Sequence, residues 1–335
     1  MTSLISRRSF LAGAAAAAGA AGTITVLARP LAAAESAAAP GATAAAPSAS
    51  PAARAPSSSA TAAAPTSSAA VPSPSAAPSA AATFDFPIVD YHCHLDGMTI
   101  DKTVEYSKER GIRFGIVEHA GTKENVYPVV LGSDDDLKRY MAMLDGKGVL
   151  RGVQAECVDW MTCFSKEAVA RLDFVLSDAL TFVEKDGRRV ELWKSEKVKI
   201  DDPQDFMERY TAFTVKKILG EPIDIIAAAT TLPSVLAAYY DALWTEPRMR
   251  RIVDAAVKSN VAIEIGGQSR MPGMAMLRLA KQAGAKFSFG SNGRGAAVGR
   301  LPYCYEAAKA LGLKREDIFT PAPPGRKPVE VRKFA

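Results

Sequence analysis

Seven short apolar runs alternate with longer stretches of helical spacing between residues 86 and 290, and no other property of the chain narrows its fold as much. The runs are Ile88–His92, Phe114–Glu118, Gly152–Glu156, Phe174–Ser177, Ile223–Ala227, Val261–Ile265 and Lys286–Gly290. They are continuous, as strands buried on both faces are. Between most of them, Asp101–Arg110, Asp135–Leu144, Gln204–Leu219, Ser234–Leu243, Arg248–Ser259 and Gly273–Ala283 repeat apolar residues at helical period. Pro203, Pro233, Pro247 and Pro272 stand where a helix start tolerates proline, and Gly111, Gly220 and Gly284 stand where helices stop. Seven strands in βα alternation predict a closed, mostly parallel α/β barrel. An open doubly wound sheet is the alternative, but the chain has no GxGxxG after the first strand and no P-loop. Val183 to Ile200 interrupts the alternation and predicts an inserted hairpin turning at Asp186-Gly187.

The segments before residue 86 are of another kind. Residues 1–34 read as a signal segment: Arg7 and Arg8 precede an Ala/Gly-rich run that ends near Leu27. The run is short and weakly hydrophobic for a membrane span. The paired arginines resemble those of a twin-arginine signal, with an ordinary Sec signal or an uncleaved anchor as the alternative, and predict the twin-arginine translocase as a partner. The destination is then the periplasm or the extracellular space, with membrane contact only through the signal segment. Residues 35–82 are nearly all Ala, Pro, Ser and Thr, without the large apolar side chains that offset the entropy of ordering, so they predict a disordered tether. The folded domain is then 83–335. Of the 41 Lys and Arg and 36 Asp and Glu, four arginines (Arg7, Arg8, Arg29, Arg54) and Glu35 fall before residue 83. The remainder is close to neutral, with no basic stripe interleaved with aromatics, which speaks against nucleic acid. The four cysteines (Cys93, Cys157, Cys163, Cys304) form no CxxC and read as buried thiols, with a Cys157–Cys163 pair as the alternative.

In a parallel barrel the active site lies at the C-terminal ends of the strands. Those ends carry all three histidines of the chain. His92 and His94 sit in Asp90-Tyr91-His92-Cys93-His94, and residues two apart on a strand share a face, so both imidazoles can aim at one metal ion. His119 ends Gly115-Ile116-Val117-Glu118-His119 on the next strand. Glu156 follows strand three and Asp178 strand four; Thr230 and Thr231 follow strand five; Glu264 lies in strand six with Gln268 and Arg270 after it; Asn292 and Arg294 follow strand seven. Imidazoles and carboxylates converging from several strands predict metal-assisted hydrolysis. The expected ligands are His92, His94 and Glu156, with Asn292 as a weak fourth. Asp178 is a candidate general base or ligand, Arg294 and Arg270 candidates for an anionic oxygen, and Glu118 and Glu264 further substrate contacts. The plain alternative for each arginine is a surface residue on a polar loop.

The string from Ile88 to His94, followed by Asp96-Gly97 and then by Ile116-Val117-Glu118-His119, resembles the PHP superfamily, the polymerase and histidinol-phosphatase group of metal-dependent phosphoesterases. That pattern opens with a D-x-H-x-H strand, continues with a Gly-led strand ending in an acid-His pair, and places a metal-bridging glutamate on strand three, which Glu156 matches. The resemblance covers most of 86–300 and implies a distorted seven-stranded (β/α) barrel. Several of the pattern's later ligands are replaced. Ser177-Asp178-Ala179-Leu180 stands where a His follows strand four, Ala227-Ala228-Ala229 where one follows strand five, and Asn292-Gly293-Arg294 where the pattern ends in Asp-x-His. The resemblance therefore implies an incomplete site with about one divalent ion (Zn, Mn or Fe), and leaves His119 as a catalytic candidate apart from its usual partners.

The leading expectation is an exported metal-dependent hydrolase, phosphoesterase-like, acting on a small anionic substrate. The alternative is a catalytically inactive PHP-like domain that binds a small anion or a structural metal. A lyase or isomerase acting on a sugar acid is compatible with Glu264 and the arginines but has no motif of its own.

Overall fold

The computed structural model describes residues 84–121, 127–156, 160–184, 186–194, 198–323 and 325–332. The expected leader and linker, and Cys157, lie outside the described residues. Among those described, no helix is long and apolar enough to cross a membrane.

Each of the seven apolar runs forms a strand. In chain order the strands are β1 (Val89–Cys93), β2 (Arg113–Ala120), the two-residue β3 (Val130–Leu131), β4 (Leu150–Ala155), β5 (Phe174–Asp178), β6 (Thr181–Val183), β7 (Arg189–Glu191), β8 (Ile225–Ala227), β9 (Ala262–Gly266) and β10 (Phe287–Gly290). Seven of them pair in parallel in the order β1-β10-β9-β8-β5-β4-β2, and β2 pairs back to β1, which closes the barrel. The strand β3 adds a short ladder to the end of β2. β6 and β7 form the inserted antiparallel hairpin, with Gly187 in the left-handed region (φ 84°) at the expected turn.

The helices lie between the strands and start on recognisable signals. α1 (Ile100–Arg110) is capped by the Thr99 hydroxyl, which accepts from Lys102 N at 3.3 Å, and it stops on left-handed Gly111. α2 (Asp134–Leu144) follows Ser133, and α3 (Lys166–Val169) is a single turn. α4 (Pro203–Gly220) opens with Asp202 accepting from Gln204 N and Asp205 N and with proline in the first turn, where the missing N–H costs nothing. The helix expected over Ser234–Leu243 is instead two short pieces, α5 (Ser234–Ala237) and α6 (Tyr240–Leu243). Its side chains explain the break. Tyr240 Oη donates to Thr230 Oγ1 at 2.7 Å, and Trp244 Nε1 to Thr230 O at 2.8 Å, so the chain is drawn toward the end of β8 instead of continuing one axis. α7 (Glu246–Ser259), α8 (Met274–Gln282) and α9 (Pro302–Leu311) complete the outer layer.

Strand parity sorts the core into two parts. Outward residues such as Phe114, Ile116, Val153, Val175, Ile263 and Phe287 pack under the helices in one large cluster. Inward residues Tyr91, Val117, Leu150, Phe174, Leu176, Ile225, Ala227 and Ala262 fill the lower barrel. Phe174 is the central plug, and Gly152 makes room for it: a Cβ on Gly152 would stand 2.3 Å from the Phe174 ring. Above this layer the inward side chains include His92, His119, Gln154, Asp178 and Glu264, which sets the site at the C-terminal mouth.

The opposite end is closed by the C-terminal segment. Tyr91 Oη donates to Phe319 O at 3.2 Å, and the buried Lys327 ammonium pairs with Asp224, which also accepts from Val175 N at 2.7 Å. Breaking a buried pair from one side leaves an uncompensated charge. Asp224→Ala is therefore expected to cost about 3 kcal/mol of unfolding free energy, and Lys327→Met clearly less. Urea unfolding of the two variants checks this; equal costs would mean that Lys327 reaches water.

Candidate active site

A bulge shapes the first strand. β1 pairs with β2 at Asp90↔Phe114 and next at Cys93↔Ile116, so β1 spends one residue more than its partner. Tyr91 stays in the lower barrel, while His92 and His94 both face the polar mouth. The expected sharing of a face by His92 and His94 is thus present, with centroids 5.3 Å apart. Asp90 turns the other way. It is fully buried and accepts from His92 N (3.1 Å), Ser291 N (2.9 Å) and Gly299 N (2.8 Å), stitching β1 to the loop after β10.

The mouth holds two poles. At the first, His92 Nδ1 lies 2.8 Å from Glu264 Oε2, and His92 Nε2 lies 3.0 Å from Gln154 Oε1. Gln154 comes from β4, two residues before Glu156 and on the same inward face. Its amide nitrogen donates to Glu156 Oε1 (3.2 Å) and Asp178 Oδ2 (2.8 Å). The two carboxylates require donors, which fixes the amide orientation and leaves its oxygen toward His92. Gly290 makes this pole possible: a Cβ there would fall 2.1 Å from Glu264 Oε2 and 2.9 Å from His92 Cβ. Burial pulls the His92 imidazole down, but the Glu264 charge and hydrogen bond, helped by Gln154, outweigh it and the net shift is upward.

At the second pole the rings of His94 and His119 stack, 4.8 Å between centroids and 15° between planes. His119 Nδ1 is 2.7 Å from Glu156 Oε1. Among the described residues, His119 Nε2 and both nitrogens of His94 are buried with no hydrogen-bond partner. Burial, reinforced by the neighbouring His92, Arg294 and His119, holds His94 well below the usual histidine range, so its ring is neutral at pH 7.

The remaining expected residues are placed as follows. Asp178 is buried at the mouth, and burial with the Glu156 charge pushes its carboxyl up to about 7. Glu118, next to His119 on β2, points out of the barrel: Oε1 accepts from Leu95 N at 3.0 Å, Oε2 has no partner, and burial pushes it up to about 7. Asn292 is exposed, and its Oδ1 accepts from Arg294 Nη1 at 3.0 Å. Arg294 also holds Asp96 at 2.6 Å, so it stands at the edge of the mouth. Arg270 is not brought to the site: its guanidinium pairs with Glu306 at 2.8 Å, stacks over Tyr303, and its side chain is 58% exposed. Gln154 was absent from the sequence expectations.

A cavity of about 390 Å³ opens beside the first pole, lined by His92, Asp178, Glu264, Gln268, Asn292 and, from the inserted hairpin, Trp193. Three of its surrounding loops hold non-glycine residues in the left-handed region: Ala228 (φ 52°), Arg270 (φ 57°) and Asn292 (φ 47°). Strain of this kind, on the order of 1–3 kcal/mol per residue, gathers at functional mouths.

The carboxyls here have a consequence for stability in the absence of metal. A raised folded-state pKa means that the folded form binds more protons than the unfolded chain between about pH 4 and the folded pKa, so stability falls as pH rises through that window. With Asp178 and Glu118 both pushed up to about 7, each carboxyl forfeits about 2.5 kcal/mol over this span, so chelator-treated protein is expected to lose on the order of 5 kcal/mol between pH 5 and pH 8. Thermal melts across that range check it, and a rising midpoint would contradict it.

No family model matches the chain, and no curated protein matches it in sequence. Among solved structures, the histidinol phosphate phosphatase of Lactococcus lactis subsp. lactis, crystallised with zinc, L-histidinol and phosphate, overlays with a TM-score of 0.50 at 15% identity, covering 73% of this chain and 99% of that one. The phospho-2-dehydro-3-deoxyheptonate aldolase of Thermotoga maritima overlays with a TM-score of 0.32 at 10% identity, over 61% of this chain and 50% of that one, an overlap too slight to carry an argument. The barrel is PHP-like, as the motifs implied; at such identity the likeness speaks for the fold alone.

Whether the residues fit a metal ion differs between the poles. Among the described residues, no three His, Cys, Asp or Glu side chains stand ready as a ligand group. At the first pole both nitrogens of His92 are engaged. At the second, three buried imidazole nitrogens have no partner among the described residues. Glu156 beside His119 Nδ1 is the carboxylate–imidazole arrangement that leaves Nε2 free to ligate. Among the described residues, the second pole thus has unpartnered imidazole nitrogens that could hold an ion, whereas at the first both nitrogens of His92 are taken.

Proposed function

We propose that the mouth of this barrel is a hydrolytic site for an ester of a small anion, working with one divalent ion held by His94 and His119. The observation that carries this reading is the pair of stacked, buried imidazoles, three of whose nitrogens have no hydrogen-bond partner among the described residues. Leaving buried polar atoms unpaired costs about 1–3 kcal/mol each, so an ion that satisfies them is strongly favoured. Two imidazoles suit Zn, Mn or Fe.

A divalent ion bound there supplies Lewis-acid activation of the ester and of the attacking water. The protein's own groups do the rest. Glu156 keeps the His119 proton on Nδ1. Asp178, with a carboxyl near 7, is suited to take the proton of the attacking water and return it to the leaving oxygen. Arg294, at the edge of the mouth, offers a guanidinium to the anionic oxygens. Export by the twin-arginine route is part of the same proposal and rests on Arg7 and Arg8.

A second reading, a rim that binds without turnover, is favoured by one observation: Gln154 lets His92, Glu156 and Asp178 satisfy one another. Elemental analysis of protein purified without chelator, together with hydrolysis of p-nitrophenyl phosphate, decides between them. The expected result is about one ion per chain and a hydrolysis that chelator stops and the ion restores. An ion without turnover promotes the binding reading; no ion removes the enzymatic one.

A further inference from the structure

Three side chains of ligating type, His92 from β1, Glu156 from the end of β4 and Asp178 from β5, converge on a single carboxamide. We propose that the Gln154 side chain is a built-in substitute for a second metal ion, so that it limits this site to one ion. The proposal rests on the metal reading of His94 and His119 only for the number one; the substitution itself stands on the Gln154 contacts.

The geometry is that of an occupied position. Gln154 Oε1 meets His92 Nε2 at 3.0 Å, and its amide nitrogen meets Glu156 Oε1 at 3.2 Å and Asp178 Oδ2 at 2.8 Å. Gln154 is 3% exposed, and the other nitrogen of His92 is taken by Glu264. A carboxamide can do here what an ion between these groups would do, because it presents donors to two carboxylates and an acceptor to an imidazole at once. It differs in being neutral, covalently tethered and a poor ligand itself. Nitrogen and oxygen ligands bind an ion only when their lone pairs are free to face it. Here the Nε2 position of His92 and one oxygen from each carboxylate are turned onto Gln154. A second ion could enter only by expelling the amide.

The sequence context agrees. Gln154 and Glu156 are two apart on a strand and so share a face. A carboxylate at 154 would add a third acid to the Glu156–Asp178 pair and place an oxygen between all three partners. That carboxylate would demand a cation where the amide now supplies N–H groups.

The test is metal stoichiometry by titration calorimetry with Zn²⁺ on the folded wild type and on Gln154→Glu, with circular dichroism confirming the fold. One ion in the wild type and two in Gln154→Glu supports both readings. None in the wild type and one in Gln154→Glu supports the substitution while removing the one-ion enzyme site. One ion in each, or none in each, overturns the substitution. So do two or more in the wild type. Should Gln154→Glu fail to fold, wild-type protein still decides the matter. With Zn²⁺ at saturation, the side-chain amide protons of Gln154 are expected to keep their chemical shifts and slow exchange; loss of that protection on adding metal would show the amide expelled and the proposal wrong.

Discussion

Replacing Asp90 with alanine is expected to destabilise the domain by about 4 kcal/mol. The Asp90 carboxylate accepts three backbone N–H groups, from His92, Ser291 and Gly299. A hydrogen bond to a charged acceptor contributes about 1.5–3 kcal/mol, and each buried N–H left without a partner carries its own desolvation cost. All three donors are buried backbone groups of β1 and of the loop after β10, so the chain has little freedom to pair them elsewhere. The melting temperature is expected to fall by about 10 °C for a domain of this size. Asp90→Asn separates geometry from charge. An amide oxygen can keep the bonds to His92 N and Ser291 N, but its NH₂ then faces the Gly299 N–H, donor against donor. About half of the alanine effect is expected. Chemical unfolding of both variants is the measurement, and a loss below 1 kcal/mol for Asp90→Ala would mean that water enters the seam.

The Asp90 result bears on how the motif is read. In D-x-H-x-H the acid and the imidazoles look like one constellation, yet the bulge in β1 sends Asp90 outward and His92 and His94 inward. Spacing alone does not carry a bulge, because a bulge is set by the partner strand. What spacing did carry was parity and order. Continuous apolar runs located all seven barrel strands, and the turn at Gly187 was legible from Asp186-Gly187. Parity also separates Glu118 from His119: adjacent strand residues face opposite ways, so only His119 reaches the mouth, and Glu118 turns toward the Leu95 loop. Helix α9 was not among the expected helices, although Pro302 in its first turn and left-handed Gly312 after its end are the signals that mark the others. Loop direction was not readable. Arg270 and Arg294 follow neighbouring strands and look equivalent in sequence; one stacks outward on Tyr303 while the other borders the mouth.

Gln154 shows a different blindness. A search for metal chemistry weighs His, Cys, Asp and Glu, and a glutamine in an apolar strand reads as a tolerated polar residue. The available signal was its parity with Glu156. An amide two residues before an inward acid, inside a barrel, must find partners, because burying it without them costs about 1–3 kcal/mol. The partners it finds are the residues that the motif would assign to metal, and so one residue outside the motif decides how the motif works.

That division between the two poles makes the paired histidine substitutions the sharpest comparison. His94→Ala is expected to weaken Zn²⁺ binding at least about 100-fold, because two imidazoles become one and the remaining ligand has no chelate partner. His92→Ala is expected to leave the affinity within about threefold, since neither His92 nitrogen is free to ligate. Its cost should instead appear in stability, as Glu264 and Gln154 lose their common partner in a buried site, at about 2 kcal/mol. Glu156→Gln should fall between: it removes the charge behind His119 Nδ1 and weakens binding by about 10-fold, the usual effect of losing an outer-shell carboxylate. Calorimetric titration of the three variants measures the order. If His92→Ala and His94→Ala lose binding equally, the ion sits across both poles, Gln154 must move aside to admit it, and the strand pair acts as the single bidentate unit that its spacing suggests.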